Sequence, residues 1–382
     1  MSREALGQIL RPLRKSQQTV IGLVVEAMAA IRQAASIPIA LALAQKVGCQ
    51  ADCALTRVYR LLHNPRLDDL VISRQMIKAL ARRGASVLIA LDWTEWHPPL
   101  RMLLASVVAG TRAVPVQTAV FRKTAIPRSQ NCWENTFLQM LAMVLKEAGV
   151  VACFLADRGF RRVSFIQLLL RQTGHTFLVR LAEKVKVQTK RGGQTLRNWG
   201  LQPGRAVDLG WVDVRQDAAV RVRVVGIWAK GHREPWWLAT NCPDSLSRLV
   251  SLYDRRMTIE EQIRDTKGAR FGFALVWTQI KTPEALARFV LLIGLAVLLL
   301  TAVGHAVAER HPSIRIPSKT KGPRLSYLSI GLLLWPLLQP KLVITSRFLE
   351  DHLPPPALRS FAWLNRYGKR KRNCSTVREQ TP

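Results

Sequence analysis

Ser86-Val-Leu-Ile-Ala-Leu-Asp92 is a short, unbroken apolar run that ends in a carboxylate. Its length and composition suit a strand buried on both faces. Two further strand-like runs follow, at 102–109 and 114–121, with Gly110 and Pro115 as punctuation and a polar, proline-containing bend behind the first. Residues 132–147 then carry apolar side chains at helical spacing and stop before Gly149. The opening pattern returns at 150–156, another apolar strand that runs into an acid, Asp157. A helix over 161–172, closed by Gly174, and a strand over 176–181 follow.

The flanks have a different texture. Residues 1–84 read as helices. Within them, 19–45 is apolar-rich and broken at Pro38, and 55–83 interleaves apolar positions with Arg57, Arg60, Arg66, Arg74, Arg82 and Arg83. Residues 184–242 carry Gly, Trp and alternating runs such as Val220 to Ile227, the pattern of an antiparallel β insertion. Residues 245–267 return to helix. The next helix contains FVLLIGLAVLLLTAVG (289–304), uncharged for sixteen residues. A membrane span needs about 20, Arg288 and His305 close this run, and Thr282-Pro283-Glu284 is a helix-start signal ahead of it. It reads as a buried core helix. Beyond His311 the chain is rich in proline and basic residues and reaches Arg366-Tyr-Gly-Lys-Arg-Lys-Arg372, a tail expected to order only against a polyanion.

Charge narrows the class of partner. The 57 Lys plus Arg against 25 Asp plus Glu give a formal net charge of +32, on a chain that is 48% hydrophobic and therefore expected to fold. Such a chain repels itself unless a polyanion neutralises it, and a phosphate backbone is the commonest one. An anionic membrane surface or ribosomal-type RNA fits the charge as well. The six cysteines make no CxxC pair and no cluster with histidine, and the opening MSREALGQILRPLRKSQQ is mixed and polar, so the expectation is a reduced, cytoplasmic protein. At 382 residues two or three domains are expected.

Strand, strand, strand, helix, strand, helix, with acids at the ends of the first and fourth strands, is the order of a ribonuclease-H-like fold, an α/β core with a mixed sheet flanked by helices. Two such strands ending side by side bring Asp92 and Asp157 within a few ångströms. Their repulsion is tolerable only with a proton or metal between them. Oxygen-only ligands suit Mg²⁺ or Mn²⁺, and a third acid completes a site for two ions. Taken singly, an Asp after an apolar strand equally suits a turn or helix cap.

The third acid comes from Tyr253-Asp-Arg-Arg256-Met-Thr-Ile-Glu260-Glu-Gln-Ile-Arg-Asp-Thr-Lys267, which contains Tyr-x2-Arg-x3-Glu-x6-Lys. Read as one helix, it places Tyr253, Arg256, Glu260 and Lys267 on a single stripe. A carboxylate there can hold metal while a guanidinium and an amine take phosphate. A solvated, salt-bridged face is the plainer reading, and neighbouring Glu261 competes with Glu260 except for the spacing. With these residues in place the chain resembles the bacterial insertion-sequence transposases of the DDE class that carry a Tyr-Arg-Glu-Lys signature, the IS-four-type group, from about Val87 to about Ala308. The likeness is strongest over Asp157-Arg-Gly-Phe160 and the 253–267 segment.

The resemblance implies a ribonuclease-H-like core interrupted by a β insertion before the last acid. Asp92, Asp157 and Glu260 would be the catalytic, metal-binding residues, and Tyr253, Arg256 and Lys267 the DNA contacts. It also makes Arg180 a contact to transposon-end DNA and Trp236 a base-stacking residue, with adjacent Trp237 as the alternative stacker or either as core. The expected organisation is a helical DNA-binding domain over 1–84, a catalytic core over 85–183 and 243–310, the insertion over 184–242 and a basic C-terminal region over 311–382. The expected activity is metal-dependent cleavage at the inverted-repeat ends of a mobile element and strand transfer into double-stranded target DNA. The enzyme would act as a homodimer, in the cytoplasm at the nucleoid and away from membranes. A DNA-binding relic of the same fold that no longer cuts, or a membrane-associated basic protein, are the competing readings.

Overall fold

The computed structural model describes residues 6–81, 86–97, 99–125, 130–172, 174–189, 192–215, 218–269, 272–311, 325–338 and 345–364. Arg82, Arg83, Cys374 and the basic run 366–372 lie outside the described residues. After one helical turn at Gly7–Leu10 come helices α1 (Lys15–Ile31), α2 (Ser36–Val47), α3 (Ala51–Leu62) and α4 (Asp69–Leu80). Strands β1 (Val87–Glu95), β2 (Leu100–Ala109) and β3 (Arg112–Arg122) follow, then α5 (Gln130–Ala148), β4 (Ala152–Ala156), α6 (Val163–Arg171) and β5 (Thr176–Leu181). Next come β6 (Lys186–Thr189), β7 (Gly192–Thr195), β8 (Arg205–Arg215), β9 (Ala219–Trp228) and β10 (Trp236–Thr240). The last helices are α7 (Leu246–Asp254), α8 (Met257–Lys267), α9 (Pro283–Arg310), α10 (Tyr327–Leu338) and α11 (Ser346–His352).

The protein is mixed α/β. It divides into two compact units, residues 1–151 with 257–357 and residues 152–256 with 358–382. In the first of them α1–α4 fold with β1–β3.

In the first unit β2 pairs antiparallel with both β1 and β3, placing Asp92 opposite Leu104 and Leu104 opposite Thr118. The β2–β3 register shifts at Ala105/Ser106, beside Pro115, which has no N–H to give the ladder. Helix α9 starts at an N-cap Thr282 with Pro283 in its first turn and packs against β3 and α1. It is long and apolar enough to cross a membrane, and 94% of its most apolar stretch is buried within the structure. Helix α10 lies along α9. Gly304 faces the Tyr327 carbonyl and Gly331 faces that of Leu300, so closely that a Cβ at either would meet backbone. This helix, and α11 after it, fall in the stretch read as a proline-rich basic tail, which is corrected accordingly. At the other end, the break between α1 and α2 comes at Arg32, whose φ is 55°, and Pro38 sits inside the first turn of α2 rather than at the break.

In the second unit β4 and β5 run parallel, with Ala156 opposite Val179. The sheet continues antiparallel through β10, β9, β8, β6 and β7. The segment read as an antiparallel β insertion therefore adds directly to β5, through β10. Trp237, 1% exposed, covers Gly226 on the neighbouring strand β9, where a side chain of any size would collide with the indole.

The expected single helix over 253–267 is two helices. Helix α7 ends at Asp254 and α8 starts at Met257, with Arg255 and Arg256 in a turn between them. The backbone N–H of Arg255 donates to Leu252 at 3.1 Å and that of Arg256 to Tyr253 at 2.9 Å, the i to i−3 pattern that tightens and closes a helix. Tyr253 and Arg256 therefore do not share a helical stripe with Glu260 and Lys267.

Candidate active site

In the first unit, β1 is buried from Val87 to Leu91 and leaves the core at Asp92, which is half-buried. The Asp92 carboxylate accepts from the Trp93 backbone N–H at 2.8 Å. Trp93 is braced in turn, because its indole N–H donates to buried Glu134 at 2.9 Å and Arg101 stands 5.3 Å over its ring. Gln130 donates to the same Glu134 oxygen at 2.8 Å. The strand end that carries the acid is thus fixed by side-chain packing as well as by the ladder.

Helix α8 packs on β1, β2 and β3 and carries Glu260 in its first turn, on an exposed face. Several polar contacts set its orientation. Ser106 on β2 donates to Gln262 at 3.2 Å, and Arg112 grips Glu261 at 2.6 Å and Asp265 at 2.8 Å. Glu261, the competing acid, is therefore engaged by Arg112. Burial holds the Asp265 carboxyl above the usual aspartate range, against the attraction of Arg112. At the far end of α8, Lys267 donates to the Thr94 hydroxyl at 2.7 Å and to the Glu95 carbonyl, with its ammonium 5.6 Å from the Trp96 ring. Burial lowers its pKa from 10.5, and the nearby Glu95 pulls the other way. The first unit thus brings the strand of Asp92 together with the helix of Glu260 and Lys267.

In the second unit, Asp157 follows the fully buried β4 and accepts the Gly159 N–H at 2.8 Å, capping the turn over Arg158–Phe160. A carboxylate that takes one backbone hydrogen bond retains acceptor capacity on both oxygens. Phe160, 2% exposed, pins the turn against Phe165. Tyr253 is buried, and its hydroxyl donates to the carbonyl of Ala156, the residue before Asp157, at 3.4 Å. The half-buried Trp236 meets Tyr253 edge-on at 5.2 Å and His232 at 5.7 Å, whereas Trp237 is core. Of the two tryptophans only Trp236 offers a ring with a solvent-facing part.

Arg180 on β5 pairs with Glu234 at 2.7 Å and donates to the Pro235 carbonyl at 3.4 Å. Glu234 also takes Arg158 at 3.3 Å, and these residues line a cavity of about 220 Å³ together with Lys184 and Arg197. Arg256 is 9% exposed, and its neighbour Arg255 pairs with Asp254, which also holds Arg359 at 3.7 Å. Asp92, Glu260 and Lys267 belong to the first unit. Asp157, Arg180, Trp236, Tyr253 and Arg256 belong to the second.

The bracing residues Glu134, Gln130, Arg112 and Glu234 were not singled out from sequence. Gln130 and Glu134 are one helical turn apart, but the partners that give the four residues their role lie far along the chain, Trp93 being 41 residues from Glu134 and Arg112 153 from Asp265. No protein-family model matches the chain, and no curated protein sequence matches it.

Proposed function

We propose that the chain is a DDE transposase with a ribonuclease-H-like core that cleaves DNA at the ends of a mobile element and joins those ends to target DNA. The observation that carries this reading is the placement of acids where two buried strands leave the core, Asp92 at the point on β1 where burial ends and Asp157 just after β4, with a third acid, Glu260, on a helix packed against the first of those strands. The donor set is all carboxylate oxygen, which suits Mg²⁺ or Mn²⁺. Such ions, when bound, would supply an activated water or 3′-hydroxyl and charge stabilisation at the departing oxygen.

The chain's own residues have separate parts in this reading. Asp92, Asp157 and Glu260 offer the ligands, and Trp93 with Glu134 fixes the strand end beside the first. Arg256, Lys267 and Arg180 supply cations for phosphate, Tyr253 supports that contact, and the half-exposed indole of Trp236 is the stacking surface for a displaced base. The net charge of +32 supports a polyanionic partner, here double-stranded DNA held by a homodimer at the nucleoid.

The test is a nicking and strand-transfer assay on DNA carrying the sequences that border the gene. Asp92→Asn, Asp157→Asn and Glu260→Gln should each abolish Mg²⁺-dependent cleavage while gel-shift affinity for the same DNA is retained. Normal cutting by Glu260→Gln would refute the assignment of the third acid. Cutting by all three would refute the enzyme.

A further inference from the structure

His305 and Glu309 stand one turn apart near the C-terminal end of α9, and His352 closes α11 against them. One donor atom from each of the three lies within 4.8 Å of the others. His305 Nδ1 is 2.9 Å from the backbone carbonyl oxygen of His352. A carbonyl only accepts, so the neutral ring donates there and carries its lone pair on Nε2. That nitrogen is 3.6 Å from Glu309 Oε1, while His352 Nδ1 is 3.0 Å from Glu309 Oε2.

We infer that His305, Glu309 and His352 form a binding site for a zinc ion that staples α11 to the end of α9. Ligands at about 2.1 Å in a tetrahedron sit roughly 3.4 Å from one another, and each imidazole nitrogen here stands near that distance from one oxygen of the shared carboxylate, His305 Nε2 at 3.6 Å from Oε1 and His352 Nδ1 at 3.0 Å from Oε2. A metal-bound imidazole characteristically donates its other ring N–H to a carbonyl or carboxylate, which fixes the tautomer and the ring plane. The His305–His352 carbonyl contact is already of that kind. Ring packing also limits rotation: His305 meets Tyr327 edge-on at 4.7 Å and His352 lies 4.5 Å from Phe348.

Two imidazoles and one carboxylate suit zinc and disfavour magnesium, which demands oxygen ligands. The fourth position faces outward, since the Glu309 side chain is 50% exposed, and water would fill it. Glu309 and His352 are 43 residues apart, so an ion here closes a long loop and stabilises the packing of α11. The inference is independent of the transposase reading, because it rests on none of Asp92, Asp157 and Glu260.

The experiment strips the untagged full chain of metal with a chelator and titrates it with ZnCl₂ by calorimetry, with and without excess MgCl₂. One saturable zinc site, indifferent to magnesium and accompanied by a higher melting temperature, is expected. Glu309→Gln and His352→Gln should each weaken it by at least about tenfold, with the far-ultraviolet spectrum unchanged. Co²⁺ added to the parent chain should give the visible bands of a low-coordinate nitrogen and oxygen site, a readout that needs no variant. No saturable zinc, equal affinity in both variants, or only the faint absorption of six-coordinate cobalt would overturn the proposal.

Discussion

The contact between α9 and α10 gives the sharpest quantitative test of the fold. A Cβ added at Gly304 would lie 1.8 Å from the Tyr327 carbonyl oxygen, and one added at Gly331 would lie 2.0 Å from that of Leu300. An ordinary C···O approach is about 3.3 Å, so Gly304→Ala must push the helices apart by roughly 1.5 Å, or distort them. The obstacle is backbone on both sides, and no side chain can swing away. A gap of about 0.5–1 Å already forfeits a quarter to a half of each dispersion contact, and overpacking of this kind costs about 1–3 kcal/mol. For a unit of about 250 residues that is a fall in melting temperature of roughly 3–10 °C. Calorimetric melting of Gly304→Ala and Gly331→Ala measures it. Gly7→Ala is the control, since a Cβ there meets nothing within 4 Å. If both α9–α10 variants melt with the parent, the helices do not approach as described.

Three further outcomes are expected. Trp237→Ala should cost about 3–5 kcal/mol in a urea titration, because the indole is core over Gly226, whereas Trp236→Ala should cost less than half as much; equal losses would contradict the burial of the pair. DNA affinity should fall steeply with salt, and Arg256→Ala should reduce the log–log slope by about one unit; an unchanged slope would remove Arg256 from the phosphate contacts. Asp69 and Asp265 both have folded pKa values raised above 3.8, mainly by burial, so between 3.8 and the raised value the folded chain binds more protons than the unfolded one. Their contribution to stability is present below 3.8 and lost as pH rises through the folded values, so the stability of Asp69→Asn relative to the parent should become less favourable as pH falls from neutral toward 4; the opposite trend would invert the sign assigned here.

The strands and helices from β1 to β5 were legible because each is a short apolar run or a 3.6-residue pattern bounded by Gly, Pro or an acid. Helix α9 was legible for a different reason: a start signal precedes a sixteen-residue uncharged run between Arg288 and His305. Helix α10 was not read, although its sequence YLSIGLLLWPLL is plainly apolar. It is short, carries Pro336 and stands among proline-rich basic segments, so composition masked it, and only its docking through Gly304 and Gly331 gives it a place. The joining of β10 to β5 was not readable either. Alternation identifies a strand but not the edge on which it adds.

The break between α7 and α8 is the most instructive difference. Nothing between Tyr253 and Met257 is Gly or Pro, so local preference favours continuing the helix. Tertiary contacts decide otherwise. Asp254 is held by Arg255 and by the distant Arg359, and Tyr253 is drawn into the core, where its hydroxyl meets Ala156. The four signature residues then fall into two pairs with a common logic. Tyr253 is hydrogen-bonded in its own unit to the residue that precedes Asp157. Lys267 is hydrogen-bonded in its own unit to Thr94 and Glu95, which follow Asp92. Each end of the segment is thus tied beside one of the two strand acids, and Glu260 lies on the stretch between those ties.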